Sequence, residues 1–306
     1  MIELIKSDIS YNFTSKFKIT SLLSAILVLG SLVLILTKLN YGVDFRGGAE
    51  IQIKFQKEVS LNDLRQTLKE QGFKDVSVQT IGEVTENEVL VKLQGDESNL
   101  NEITQEVETS LVKSFTGAGV EVRKVDIVGP KAGAQLRVAG FQAMLWALIA
   151  IMIYIGLRFD FKYSPGAIVA LFHDVSIILG VYALTGTQFT LQTVAALLAV
   201  IGYSVNDTVI VYDRVREHEE KYAGVSLSTH INKAVNETLS RTLLTSGTTL
   251  FISVSMYFFG GLAIKDFFLA MSIGVLIGTY SSIFVAAPVT LFFDNLNAAK
   301  APAKVN

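Results

Sequence analysis

The sequence predicts a polytopic α-helical membrane protein: six transmembrane helices, with a ferredoxin-like α+β extracytoplasmic domain between the first and second spans. Three observations predict it. Of 306 residues, 50% are apolar and only 18% charged, and the charges are missing from long stretches instead of being spread evenly, as a water-facing surface requires. Several of those stretches reach the about 20 apolar residues a helix needs to cross the hydrocarbon. One segment, Tyr41 to about Gln135, has ordinary soluble patterning.

Taken in order, residues 1–18 form a cytoplasmic amino terminus and 19–39 the first span, whose uncharged stretch Ile19 to Thr37 lies between Lys18 and Lys38. This stretch is long and lacks a small-residue cleavage site before Asn40 and Tyr41, so it reads as a retained anchor and not a signal peptide.

Residues 40–137 make the outer domain. Ile51, Ile53 and Phe55 alternate with Glu50, Gln52 and Lys54, the period of a half-buried strand. Ser60, with Asp63 three residues on, starts a helix whose Leu61, Leu64 and Leu68 form one stripe before Gly72. Asp75 to Ile81 and Glu88 to Leu93 read as strands, and Ser98 caps a second helix with Leu100, Ile103, Val107 and Leu111 on one face. Val120 to Val128 is the last strand. The order βαββαβ is that of a split βαβ unit.

Residues 138–293 hold the other five spans. Val138 to Leu157 is the second; Ser164 as N-cap, followed by Pro165, opens a third that ends near Thr185. Gly186, Thr187 and Gln188 break an apolar run too long for one crossing, and the fourth span begins near Thr190. Thr242 to Ile264 and Phe267 to Phe293 are the fifth and sixth. Gly274 and Gly278 in the sixth have the spacing that lets helix backbones approach, and Pro288 should kink that helix or sit near its end. The intervening loop, 213–241, includes an amphipathic helix from Ser228 to Leu239, with Ile231, Ala234, Val235 and Leu239 on one face, lying along the cytoplasmic surface. Residues 294–306 form a cytoplasmic tail.

Orientation follows from the short flanks. Lys6, Lys16 and Lys18, then Arg158 and Lys162, then Arg214, Arg216, Lys221, Lys233 and Arg241 all fall on one side, and only Lys265 occupies a short opposite loop. The basic side is cytoplasmic, which puts both termini there, in a bacterial inner membrane.

A formal charge of −2 gives no basic excess and no case for nucleic acid. The absence of cysteine excludes disulfides, thiol catalysis and iron–sulfur ligation, and three scattered histidines argue against zinc. No cofactor or metal is expected. The chain has no phosphate-binding loop, nucleophile elbow, HExxH or paired membrane aspartates, so an enzyme is not expected either.

Three stretches stand out. GVDFRGG carries Gly42, Asp44, Phe45, Gly47 and Gly48 and can be read as a glycine turn that leads the chain out of the bilayer. VGPKAGAQLR, with Gly129 and Pro130, can be a linker. IGYSVNDTVIVYDRVRE runs from Gly202 and Tyr203 inside the fourth span, through Asn206 and Asp207, to Asp213 and Arg214 outside it. In this order and spacing the three stretches resemble the signatures of the SecF family, within the resistance–nodulation–division superfamily. The resemblance covers nearly the whole chain. It implies an accessory role in Sec protein export, in complex with SecD and an accessory Sec membrane protein, docked to the SecYEG channel with its SecA motor. It also implies that protons, moving down the proton-motive force, drive late translocation and release of an exported unfolded polypeptide.

A charged aspartate in the bilayer interior costs roughly 2.5 to 3.5 kcal/mol, so it persists only with a partner, a wet cavity or a proton. Asp207 lies within the fourth span, and Arg241 opens the fifth from the same side. Burial favours the protonated acid and a nearby guanidinium the ionised one, so separating the two changes which effect wins. The resemblance implies the same assignment, since the family's proton-path acid and arginine fall on these positions. A structural clasp, or an Arg241 that snorkels to the headgroups, is the alternative. Asn206 is placed to hydrogen-bond the carboxylate or a facing helix; Ser204 and Thr208 can be packing residues. His173 and Asp174 in the third span read as a second relay point or a bond that locks helices. Arg216 and Glu217 read as a solvated helix end, Asp213 as an organiser of the loop, and His218 and His230 as surface residues. Besides energy transduction, two functions compete: a structural subunit that stabilises SecD and the channel without carrying protons, and half of a resistance–nodulation–division small-molecule or lipid exporter.

Overall fold

The structure, a computed structural model, describes residues 10–73, 76–81, 87–93, 100–159 and 161–300. The expectations for Lys6, Asp75, Ser98 and the end of the tail lie outside these residues. The chain divides into two units: Tyr41–Phe141, and the remainder on either side of it.

The first apolar run folds as α1, Phe17–Lys38. In the unit Tyr41–Phe141 a single turn, α2, Val43–Arg46, precedes β1, Gly48–Phe55. Then come α3, Leu61–Glu70; β2, Val76–Ile81; β3, Glu88–Leu93; α4, Leu100–Ser114; and β4, Val120–Val128. The sheet order is β2-β3-β1-β4, and its three pairings are antiparallel. The period-2 pattern of β1 sends Ile51, Ile53 and Phe55 to one face, where they are fully buried with Leu64 and Leu68 of α3 and Val107 and Leu111 of α4. Without cysteines, this cluster is what holds the unit together. Ser60 caps α3 by accepting from the Asn62 amide at 3.3 Å.

The GVDFRGG and VGP stretches meet in this unit. Gly47 and Gly48 take φ of +77° and +123°, and a Cβ on Gly47 would lie 2.5 Å from Pro130 Cα. Phe45 is buried. Pro130 is the first residue of a long helix, α5, Pro130–Arg158, so the stretch that could have been a linker opens a helix packed against the double glycine.

In the other unit, α6 spans Ser164–Thr185 and α7 Leu191–Lys221. The left-handed Gly186 (φ +74°) ends α6, and Thr190 with Thr193 forms a reciprocal capping box at the start of α7. Three expectations need correction. Ser164 is not the N-cap: Tyr163 holds that position in already helical geometry, and the buried Ser164 Oγ has no hydrogen-bond partner among the described residues. The amphipathic segment is not a separate surface helix, because α8 runs unbroken from Leu227 to Phe259. Its apolar face is real, with Ile231, Ala234 and Val235 buried, but no glycine or proline separates it from the fifth span, and only 222–226 remain as a connection. α8 also ends earlier than expected, at Phe259 before Gly260 and Gly261.

The last span begins as α9, Leu262–Ser281, passes through a π-helical turn, Ser282–Ala286, and continues as α10, Ala287–Lys300. The irregular turn falls where Pro288 cannot donate a backbone hydrogen bond to the preceding turn. Gly274 and Gly278 face α7: a Cβ on the first would overlap Val200, and one on the second would sit 3.0 Å from Ser204 Cβ. Among the described residues, six helices are long and apolar enough to cross a membrane. Their outer faces carry large exposed apolar residues such as Leu36, Trp146 and Phe251, which a water-facing surface would not present in such number.

Candidate functional site

The buried stripe of α7 repeats every three to four residues: Val200, Ser204, Asp207, Thr208, Val211 and Val215. Two aspartates share the polar middle of the bundle, Asp174 on α6 and Asp207 on α7, each 1% exposed.

They are held differently. The Asp174 carboxylate accepts from Ser204 Oγ of α7 at 2.6 Å and Ser281 Oγ of α9 at 2.8 Å, and His173 Nδ1 lies 2.9 Å from its other oxygen. The serines therefore tie three helices to one carboxylate. His173 stacks on Tyr280 at 5.9 Å, and the Tyr280 hydroxyl donates to Thr20 O at 3.2 Å and lies 2.9 Å from Ser24 Oγ, which extends the network to α1. His173 Nε2 is buried with no partner among the described residues.

Among the described residues Asp207 accepts one hydrogen bond, a 3.4 Å contact from Ser246 Oγ of α8. Ser246 Oγ in turn lies 2.6 Å from Thr279 Oγ1 of α9 and accepts from the Tyr203 hydroxyl at 3.4 Å. No cation stands within 4 Å of Asp207 among the described residues. Arg241 is exposed and faces a groove between α5, α7 and α8, so the pair expected from the sequence is not in contact in this conformation. Asn206 is exposed on the far side of α7 and makes no hydrogen bond among the described residues, because one step along a helix turns a side chain by about 100° away from the Asp207 stripe. Gly202 is exposed as well.

At the basic end, Asp213 pairs with Arg158 of α5 at 3.5 Å, and Arg214 with Glu217 at 2.6 Å and Glu237 at 3.3 Å. His218 and His230 are not surface residues: they are 6% and 4% exposed and stack on each other at 6.3 Å. The sequence reading missed Ser204, Ser246 and Ser281 as carboxylate partners. Serines facing an intramembrane aspartate were the available signal.

Residues 107–296 match the family model described as protein export membrane protein SecD/SecF, C-terminal, and residues 33–59 match the SecD/SecF GG motif. The protein translocase subunit SecF of Calditerrivibrio nitroreducens is 41% identical over 96% of this chain and 98% of its own length. The chain belongs to the SecF family. SecF of Rickettsia bellii is 40% identical over 96% of this chain and 97% of its own. Among solved structures, SecDF from Thermus thermophilus, titled a translocon-associated membrane protein, superposes with a TM-score of 0.85 at 32% identity over 95% of this chain. SecDF in its super-membrane-facing form gives 0.71 at 33% identity over 98%. The chain spans 40% of the length of each SecDF chain. Family membership makes it a multi-pass membrane protein and an accessory subunit of Sec protein export, and Gly42–Gly48 lie inside the matched GG motif.

Proposed function

We propose that this SecF-family chain works with SecD to couple the proton-motive force to late translocation and release of exported polypeptides, with Asp207 as the residue that gains and loses the proton. One observation carries the reading. Of two equally buried aspartates, Asp174 is engaged by three neighbouring side chains, whereas Asp207 accepts a single long hydrogen bond and has no counter-ion within 4 Å. A carboxylate so loosely held in a low-dielectric interior is stable with a proton on it, and ionises when a cation or water comes close. Asp174 is then the clasp that holds α6, α7 and α9 together. Arg241, one turn or so beyond Ser246 toward the basic end of α8, is the cation that approaches Asp207 in the alternate state.

The topology β2-β3-β1-β4 supports reading Tyr41–Phe141 as a ferredoxin-like, extracytoplasmic domain, and the clustering of Lys16, Lys18, Arg158, Lys162 and Arg214 supports cytoplasmic termini in the bacterial inner membrane. SecD is the expected partner within one complex, alongside an accessory Sec membrane protein, with SecYEG, SecA and the emerging unfolded polypeptide as the assembly it serves. One charge crossing 100 mV supplies about 2.3 kcal/mol, sufficient to bias a conformational equilibrium without nucleotide.

A scaffold that stabilises SecD without carrying protons is favoured by one observation, the lack of contact between Asp207 and Arg241. Asp207→Asn separates the readings. In inverted vesicles carrying the variant and SecD, gradient-dependent export of a trapped precursor should be lost while the complex still co-purifies. Normal gradient-dependent export by that variant would establish the scaffold.

A further inference from the structure

The hydroxyl that meets Asp207 has more claims on it than it has protons. Ser246 Oγ of α8 lies 3.4 Å from Asp207 Oδ2 and 2.6 Å from Thr279 Oγ1 of α9. Thr279 Oγ1 in turn lies 2.7 Å from Val275 O, one turn back on its own helix, and the Tyr203 hydroxyl of α7 donates to Ser246 at 3.4 Å. A hydroxyl has one proton to donate and two lone pairs with which to accept. Ser246 therefore cannot donate to Asp207 and Thr279 together, and Thr279 cannot donate to Ser246 and Val275 together.

The protonation state of Asp207 decides how these claims are met. An ionised carboxylate can only accept, so Ser246 donates to it; Thr279 must then donate to Ser246 and gives up Val275 O. A protonated Asp207 opens a second arrangement, in which the acid donates to Ser246, Ser246 to Thr279, and Thr279 to Val275 O. The contacts of 2.6 and 2.7 Å, far shorter than the 3.4 Å to Asp207, are the ones this second arrangement requires. Tyr203 can donate to Ser246 in both. The charged and titratable side chains in this part of the bundle are Tyr203 on α7, Arg241 on α8, His173 and Asp174 on α6 and Tyr280 on α9. Of these, only Tyr203 hydrogen-bonds Ser246 or Thr279 among the described residues.

What differs on α9 is a bond inside the helix. A threonine hydroxyl bonded to the carbonyl four residues earlier bends its helix, and the next turn of this span can absorb a bend. Ser282 donates to Thr279 O at 3.0 Å and opens the π-helical turn Ser282–Ala286. Two residues after Thr279, Ser281 holds Asp174.

We propose that Ser246 and Thr279 are positioning residues that carry the protonation state of Asp207 to α9: a proton on Asp207 sets the Thr279 hydroxyl against its own helix, and loss of that proton draws it to Ser246. The inference rests on the proton-coupling reading of Asp207. The one proton exchanged is that of the Asp207 carboxyl; each hydroxyl turns about its C–O bond and keeps its own.

The test uses the full chain in liposomes. Because the chain has no cysteine, spin labels on Leu184→Cys of α6 and Leu276→Cys of α9, both exposed positions, report the distance between these helices as pH is varied. Difference infrared spectroscopy follows the carboxylic-acid band of Asp207, identified by its loss in Asp207→Asn. In the otherwise wild-type chain the distance should follow the band. Thr279→Val keeps the shape and removes the hydroxyl: the band should still come and go with pH while the distance stays fixed, and gradient-dependent export in inverted vesicles with SecD should be lost. Thr279→Ser should restore both responses, whereas valine would satisfy a packing role alone. A distance that follows the band in Thr279→Val, one that ignores it in the wild-type background, or a Thr279→Ser chain that behaves like Thr279→Val would overturn the inference and leave proton coupling through Asp207 standing. A wild-type band that does not change with pH would remove that coupling, and the inference with it.

Discussion

Ser204 stands one helical turn before Asp207 on α7, yet its hydroxyl donates at 2.6 Å to the other aspartate, Asp174 of α6. The helix that presents the loosely held carboxylate is thereby fixed to its neighbour through the tightly held one. A conformational change at Asp207 must either carry α6 along or break this bond.

Removing the clasp should cost stability in a graded way. Asp174→Ala leaves the Ser204 hydroxyl buried without its acceptor, at about 1–3 kcal/mol for the unsatisfied group, whereas Ser281 keeps the Gly278 carbonyl as acceptor at 3.2 Å. Asp174→Asn retains one carbonyl oxygen for them and should fall clearly less. Thermal unfolding of the purified chain in detergent measures both; equal midpoints for the two variants would count against the clasp.

Close approach of α7 and α9 depends on the bare backbone of Gly274. A side chain there overlaps Val200 on the facing helix, so Gly274→Val should destabilise by about 1–3 kcal/mol, the usual cost of overpacking. The paired change Gly274→Val with Val200→Ala should recover part of the loss, which the same melting assay would read.

In the unit Tyr41–Phe141, Leu68 of α3 is fully buried against the sheet. Leu68→Ala should remove about 2–5 kcal/mol from that unit. Hydrogen exchange of β1 and β3 amides should accelerate accordingly, whereas amides of α7 should be unaffected.

Glu50 on β1 gives the same unit a pH dependence. Burial pushes its carboxyl above the ordinary 4.5, Lys92 pulls it back, and Asp126 and Asp44 add to the rise. The folded chain holds this proton more tightly than the unfolded chain. Its contribution to stability is therefore greatest below the ordinary value, and declines as pH rises from there through the raised folded value. The exchange-derived opening free energy of β1 amides should show this decline, and Glu50→Gln should flatten it.

The elements were legible in the sequence wherever one local rule decided them. Charge-free runs located α1 and the apolar part of α5, Pro165 stood at the start of α6, and alternation located β1 to within two residues. Left-handed Gly186 ended α6 where the turn signal stood, and the Thr190 cap began α7. Local rules failed where two signals had to be joined or placed in space. The amphipathic pattern of 228–239 and the apolar run that follows were each recognised, but the absence of a helix breaker between them, which makes one continuous α8, was given too little weight. His218 and His230 look like surface residues in a charged stretch and are buried because the end of α7 packs against the start of α8.

By itself the sequence determined the membrane class, the six apolar helices, the order βαββαβ and the identity of the two intramembrane aspartates, because each follows from composition or from the period of a single element. Only the tertiary structure decided which aspartate is held fast and which is not, that Asn206 is turned out of the Asp207 stripe while Arg241 stands beyond ion-pair distance of Asp207, and that the double glycine packs on Pro130. Those outcomes depend on how separate helices are rotated and set in depth against one another, and helical periodicity fixes which residues share a face but not what that face meets.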